Sequence, residues 1–448
     1  MSLNLLSIDF SLPKTLIVLA VVAVLASLDL VSRIQHKNAQ YPLGMVIGTI
    51  LAFGLITASQ VIMSPDVPKH GQGIALGVFL LFIAWRFLFG SWDSQTKATV
   101  LGMFTFWIFF HMLSLESPTD RMAHLIAIGT ACVPAVVWAF LFLPYHREKL
   151  SIVLCMMFAG MLATLPILFY DTLVRGGVEM HFFLFRIVPE SFSSSARTFV
   201  MGNWPGIPPL QSSLISMMLS FLLVGVIEEG CKLWVLLRAG RQYITSIDDA
   251  IQMAVLVAIG FAFAENVTNS GYFVSFAREF LVNPETRNWS AFLGNVAGRS
   301  ILTSMVHIVS TGLMGYYVGL ALFAGPLLKE QQAGGIRYAV LEWCHDIFAI
   351  PKRDLYRRLK IITGYAIAIF LHAMSNFLVS LPDALPGNPH SVGDLLHSSP
   401  GSPLHMIALL LPPTLLYVVG GFTLLTFLFG KKENMKELGH VVEMEEAN

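Results

Sequence analysis

The chain has 448 residues, of which 55% are hydrophobic and only 12% charged, with a mean hydropathy of +0.69. That composition excludes a soluble globular protein and describes an integral membrane protein. The 28 basic and 28 acidic residues cancel, so no net charge argues for nucleic acid, and none is expected as a partner.

The N-terminal stretch MSLNLLSIDFSLPK lacks the basic region and cleavage pattern of a signal peptide, and reads as a short tail before an uncleaved first span. Runs of ~17–25 mostly apolar residues suit a bilayer core. The sequence predicts eleven, near 15–31, 42–63, 73–90, 98–115, 122–144, 150–172, 212–237, 249–268, 296–324, 361–380 and 404–430. The fold class is thus an all-α polytopic membrane protein. Segment 271–283 is apolar but short and suits the interface, whereas 296–324 exceeds what a bilayer requires. Lys and Arg favour alternate connections by two to one, which predicts the N-terminus outside and the C-terminus inside. Asp29, Arg86, His111 and His124 lie near span ends, where side chains reach the interface. Cys132, Cys155, Cys231 and Cys344 form neither a disulfide framework nor a CxxC pair.

The predicted division is 1–173, a six-helix membrane region of unknown role; 174–211, an outer loop with an amphipathic segment at Met180–Val188; 212–380, the core that carries the chemistry; and 381–448, an outer loop, the last span and a cytoplasmic tail. The inner loop 325–360 is basic. A helix over 337–360 lying on anionic headgroups is expected there.

Ionisable groups at lipid depth need a reason, and four successive spans carry them. The first holds Glu228-Glu229-x-x-Lys232, where either carboxylate can pair with the ammonium at i,i+4 or i,i+3 and one carboxylate is left over. The second holds Phe261-x-x-x-Glu265-Asn266, the third His307, and the fourth His372-x-x-x-Asn376, whose two side chains share a helix face. Counted from the inner ends of their helices these groups stand ~15–27 Å up a ~30 Å core, so they can share one pocket.

Two histidines and a glutamate make the ligand set of a catalytic zinc site, with a further carboxylate as general base and Lys232 or Asn376 polarising a carbonyl. The same atoms permit metal-free hydrolysis, in which a carboxylate activates water and His and Asn stabilise the oxyanion. Both routes hydrolyse an amide bond. An HExxH motif is absent. Bland roles stand beside these: Ser304, Thr311 and Ser375 are placed to bond the histidines, Asn266 and Asn376 can join helices, and Asp248 and Asp249 suit a helix N-terminus. Asn266-Val-Thr268 matches a glycosylation sequon but lies within a helix.

This ordered set (Glu228, Glu229, Lys232; Phe261, Glu265, Asn266; His307; His372, Asn376) resembles the PrsW family of bacterial intramembrane proteases over roughly residues 210–380. The family is distantly related to type II CAAX prenyl endopeptidases and to the multi-span scaffold subunit of gamma-secretase. The resemblance implies cleavage of a membrane-anchored protein, typified by an anti-sigma factor cut at the first of two sites, in the bacterial inner membrane. It implies Glu228 or Glu229 as base and His307 and His372 as ligands or oxyanion partners. The expected metal ligands are Glu229, Glu265, His307 and His372, with zinc the candidate ion. An ion- or proton-coupled transporter is the alternative, because Glu/His chains also mark proton paths, although no repeat relates the two halves. A catalytically silent scaffold would have no need of the tandem carboxylate.

Overall fold

The computed structural model describes residues 40–63, 92–167, 180–182, 185–187, 208–268, 272–282, 289–333 and 338–430. The spans expected at 15–31 and 73–90, most of 174–211 and the tail beyond 430 lie outside them. The chain divides into two compact units, up to His111 and from Met112.

In the first unit, α1 (Gln40–Met63) packs against α2 (Ser94–Ser114), and the Trp107 indole donates to Thr49 Oγ1 at 2.9 Å. Asp93 starts α2 by accepting from the backbone N–H of Gln95 and Thr96 at 3.0 and 3.1 Å, which satisfies donors that a helix start leaves free.

The second unit begins with α3 (Pro118–Phe142), capped by Ser117 and opened by a proline, and α4 (Leu150–Leu162). A short antiparallel pair follows, β1 (Met180–Phe182) with β2 (Phe185–Ile187), where an amphipathic segment was expected. Then come α5 (Pro209–Val235), ending in a π turn over Leu236–Gly240, α6 (Ile247–Thr268) and α7 (Phe273–Val282). Next, α8 (Trp289–Gly298) runs through a π turn at Arg299–Thr303 into α9 (Ser304–Leu322). The chain continues through α10 (Ala324–Ala333), α11 (Ala339–Phe348) and α12 (Lys352–Ala384). A one-turn α13 (Val392–Leu395) precedes α14 (Leu411–Thr414), which passes through a π turn into α15 (Gly421–Gly430).

Among the described residues, 8 helical stretches are long and apolar enough to cross a membrane. Each predicted span that falls on described residues coincides with a helix, but some bounds move. The inner-loop helix expected over 337–360 is two helices, because Ala349 adopts a left-handed conformation (φ 52°) and Pro351 supplies no N–H to continue α11. Lys352 then starts α12, well before the predicted span. The last span starts at Leu411 rather than 404, with Pro412 and Pro413 in its first turn. The preceding loop is ordered by a bridge between Ser391 and Ala408 and by a Ser391–Asp394 capping box.

The core centres on α6, which packs on α3, α4 and α9; α9 packs on α12, and α12 on α5. The Ile247–Val282 stretch is 89% buried over its most apolar window, against 28% for α12, so α6 is enclosed by protein while α12 keeps a lipid side. Contact with α4 is backbone to backbone. A Cβ on Gly160 would sit 2.1 Å from the Val257 carbonyl oxygen, and one on Gly260 2.0 Å from that of Met157. Only glycine fits either crossing point, and small residues are what let membrane helices approach this closely.

Candidate active site

Helices α5, α6, α9 and α12 bring Glu228, Glu229, Lys232, Glu265, His307 and His372 into one buried cluster. Glu229 is its fully enclosed centre. Its Oε1 accepts from Lys232 Nζ at 2.7 Å, His372 Nδ1 at 2.9 Å and Ser310 Oγ at 3.1 Å, and its Oε2 accepts from Thr311 Oγ1 at 3.0 Å. Four donors, three from other helices, fill the carboxylate's capacity. Thr311, expected beside a histidine, serves Glu229 instead, and Ser304 bonds the Arg299 carbonyl.

Lys232 is equally enclosed. Its Nζ donates to His307 Nδ1 at 2.8 Å, lies 3.9 Å from Glu228 Oε2 and sits 4.1 Å above the centre of the Phe261 ring. An ammonium only donates, so His307 Nδ1 accepts and its Nε2 donates to Glu265 Oε2 at 2.9 Å. His372 has the opposite tautomer. Its Nδ1 donates to Glu229, which leaves the Nε2 lone pair of the neutral ring 3.5 Å from Glu228 Oε2. That Glu228 oxygen is buried and accepts no hydrogen bond among the described residues. The two imidazoles meet edge to face, their centres 4.9 Å apart.

Between His372 Nε2 and the buried Glu228 Oε2, 3.5 Å apart, either a proton or a metal cation can be shared. One ligand atom each from Glu228, His307 and His372 lie within 4.8 Å of one another. These residues fit a metal ion: mixed imidazole and carboxylate donors, with His372 oriented by a carboxylate behind it as metal-bound histidines commonly are. The geometry groups Glu228 with the histidines, where the sequence reading had Glu229 and Glu265.

Asn266 is buried beside the cluster, and its Oδ1 accepts from Arg299 Nε at 2.6 Å, so the sequon asparagine is a core residue. Asn376 is half-buried one turn beyond His372 and makes no hydrogen bond to the cluster among the described residues. Arg299 was legible only as an outer basic residue. It reaches Glu265 Oε1 with Nη2 at 3.3 Å and covers the Tyr272 ring at 3.1 Å from its centre. The available signal was an arginine inside the long apolar run 296–324.

A second His/carboxylate group lies at the other end of α6. His146 Nε2 bonds Asp249 Oδ1, with Glu148 Oε1 3.7 Å away. Asp249 Oδ2 accepts from the N–H and Oγ1 of Thr245 at 2.7 and 2.6 Å, the helix-start role expected of it. Burial, then the adjacent Asp249 carboxylate, push Glu148 up to about 7.

Eight candidate spans and a buried His/carboxylate cluster between four of the helices define a multi-pass membrane protein with the side chains of a hydrolytic centre. The chain belongs to the PrsW family: residues 148–396, more than half of its length, match the PrsW family of intramembrane metalloproteases. It is accordingly an intramembrane metalloprotease acting on protein in the membrane. The match is wider than the motif-bearing stretch 210–380 and takes in α4, the helix that packs on α6. No curated protein and no solved structure matches the chain.

Proposed function

We propose that this protease hydrolyses a peptide bond of a membrane-anchored protein at the α5–α6–α9–α12 cluster, with Glu228, His307 and His372 holding a zinc ion and Glu265 accepting the proton of the attacking water. A zinc ion there supplies a bound water of pKa about 7 and a Lewis acid for the scissile carbonyl. The observation that carries the reading is the buried, unbonded Glu228 Oε2 facing His372 Nε2 at 3.5 Å.

Glu229, with four donors on it, supports rather than ligates. It holds His372 in the tautomer that leaves Nε2 free and offsets the charge of Lys232. Glu265 is the carboxylate with room to act, since its side chain is 19% exposed and Glu229's is 0%. It takes the water proton and passes it to the leaving amine. Asn376, one turn from His372, is placed to donate to the substrate backbone.

The test is co-expression with a single-span reporter substrate. Glu228→Gln and His372→Ala should abolish cleavage while the protein still accumulates in the membrane, and elemental analysis should find zinc near one equivalent in wild type. Cleavage at the normal rate by either variant ends the assignment.

The substrate class follows from the family resemblance: an anti-sigma-factor-like single-span protein in a bacterial inner membrane. We place eleven spans across that membrane, N-terminus outside and C-terminus inside, with 212–380 as the protease core, 1–173 as a docking or regulatory region, and 174–211 and the loop of 381–448 on the outer side. The two-to-one alternation of Lys and Arg supports this topology. A C-terminal fluorescent fusion that stays dark while a secreted phosphatase fused there is active would reverse it.

A further inference from the structure

The helical run from Trp289 to Leu322 is regular except over Arg299–Thr303, where it widens into a π turn. Such insertions weaken the local hydrogen bonds and occur mostly at functional sites. Here the insertion changes which residues share a face. Eight residues separate Arg299 from His307, so on a regular helix of ~100° per residue they would point about 80° apart; one inserted residue reduces that to about 20°. Both then reach the same carboxylate, Arg299 Nη2 at Glu265 Oε1 (3.3 Å) and His307 Nε2 at Glu265 Oε2 (2.9 Å).

The rest of the site fixes the guanidinium in place. Arg299 Nε donates to Asn266 Oδ1 at 2.6 Å, and its plane lies over the Tyr272 ring. The carbonyls loosened by the π turn find other donors, Ser304 Oγ for that of Arg299 at 3.2 Å and Trp138 Nε1 for that of Ser300 at 2.7 Å. A merely structural ion pair requires neither an inserted residue nor the division of one carboxylate between a cation and an imidazole.

We propose that Arg299 is a positioning residue for proteolysis, presented by the π turn so that its planar fork fixes the Glu265 carboxylate against His307. Three carboxylates face Lys232 alone without it, so it also supplies the second positive charge of the cluster. Lysine keeps that charge but lacks the fork that bonds Glu265 and Asn266 together. This proposal rests on Glu265 being the proton acceptor.

The test uses the full-length protein in membranes with a single-span reporter, comparing Arg299→Lys, Arg299→Gln, Glu265→Gln and the double variant Arg299→Gln/Glu265→Gln. Arg299→Lys should lower kcat roughly 10–100-fold, the range for removing an outer-shell partner. KM should stay within about twofold, as for loss of an interaction used only in the reaction. Metal content and melting should match wild type. The double variant should be no slower than Glu265→Gln, because the two act as one unit. A wild-type kcat in Arg299→Lys, a rise in KM alone, or losses that multiply in the double variant would overturn it. Glu228→Gln separates the levels of failure. If that variant is inactive while Glu265→Gln cleaves normally, the proton-acceptor assignment falls and the role of Arg299 with it. If both are inactive, a wild-type Arg299→Lys counts against Arg299 alone.

Discussion

Glu228 and Glu229 are adjacent and chemically identical, yet the same substitution should affect them differently. Glu229→Gln keeps the shape but removes the charge that balances Lys232, whose remaining carboxylate neighbour is 3.9 Å away and whose other partner is a neutral imidazole. Breaking a buried pair by removing one partner costs ~3–5 kcal/mol. Glu228 Oε2 accepts no hydrogen bond among the described residues, so in chelator-stripped protein Glu228→Gln forfeits chiefly its attraction to Lys232 at 3.9 Å. That attraction is about 4 kcal/mol at an effective dielectric constant of ~20. Relief of a desolvation penalty of several kcal/mol offsets it, leaving a net change within about 1 kcal/mol. Both variants should lose cleavage, one by losing a ligand and the other by releasing His372 from its tautomer. The assay pairs reporter cleavage with thermal melting of chelator-stripped protein in detergent. Glu229→Gln should melt at least several degrees lower, and Glu228→Gln close to wild type. Equal melting points, or normal cleavage by either variant, would refute the division of roles.

Other outcomes follow from the same coordinates. Gly260→Ala places a methyl 2.0 Å from the Met157 carbonyl oxygen and should destabilise by ~3 kcal/mol or more, seen as loss of folded protein in detergent, whereas Gly298→Ala meets nothing within 4 Å and should gain up to ~1 kcal/mol. Both ring nitrogens of His307 are engaged, by Lys232 and by Glu265, so metal uptake must displace a proton or the ammonium. Titration of chelator-stripped protein in buffers of different ionisation enthalpy should show proton release, and affinity should rise with pH. Glu148, raised from 4.5 to about 7, contributes its full stability below pH ~4.5 and loses it as pH rises through about 7. The melting advantage of Glu148→Gln over wild type should therefore be absent at pH ~4.5 and present at pH ~8, and a constant difference would contradict this.

The position and order of the long apolar helices on described residues were legible because lipid demands apolar runs that satisfy their own backbone. The members of the cluster were legible for the same reason: Glu228, Glu229, Glu265, His307 and His372 stand out where charge is expensive. Two kinds of information were not. Local backbone irregularity was hidden at Arg299–Thr303, which has no Gly or Pro to announce a π turn, whereas the break at Ala349 had a signal in Pro351 that the continuous reading of 337–360 passed over. Partner assignment was also hidden. Thr311 is within one turn of His307, yet it bonds Glu229 on another helix, a choice set by the crossing of α5 and α9.

The tandem carboxylate shows why adjacency in sequence is not equivalence in space. Successive residues on a helix point ~100° apart, so Glu228 and Glu229 meet the same ammonium unequally. The one at i,i+3 from Lys232 closes on it at 2.7 Å and takes in donors from α9 and α12; the one at i,i+4 stays at 3.9 Å and turns toward His372. Lys232 and Arg299 answer two of the three carboxylates, which leaves one negative charge over. It falls to Glu228, whose Oε2 accepts no hydrogen bond among the described residues. A buried charge in that position is stable only with a cation beside it. The carboxylate that pairing leaves over is the one we propose as a metal ligand.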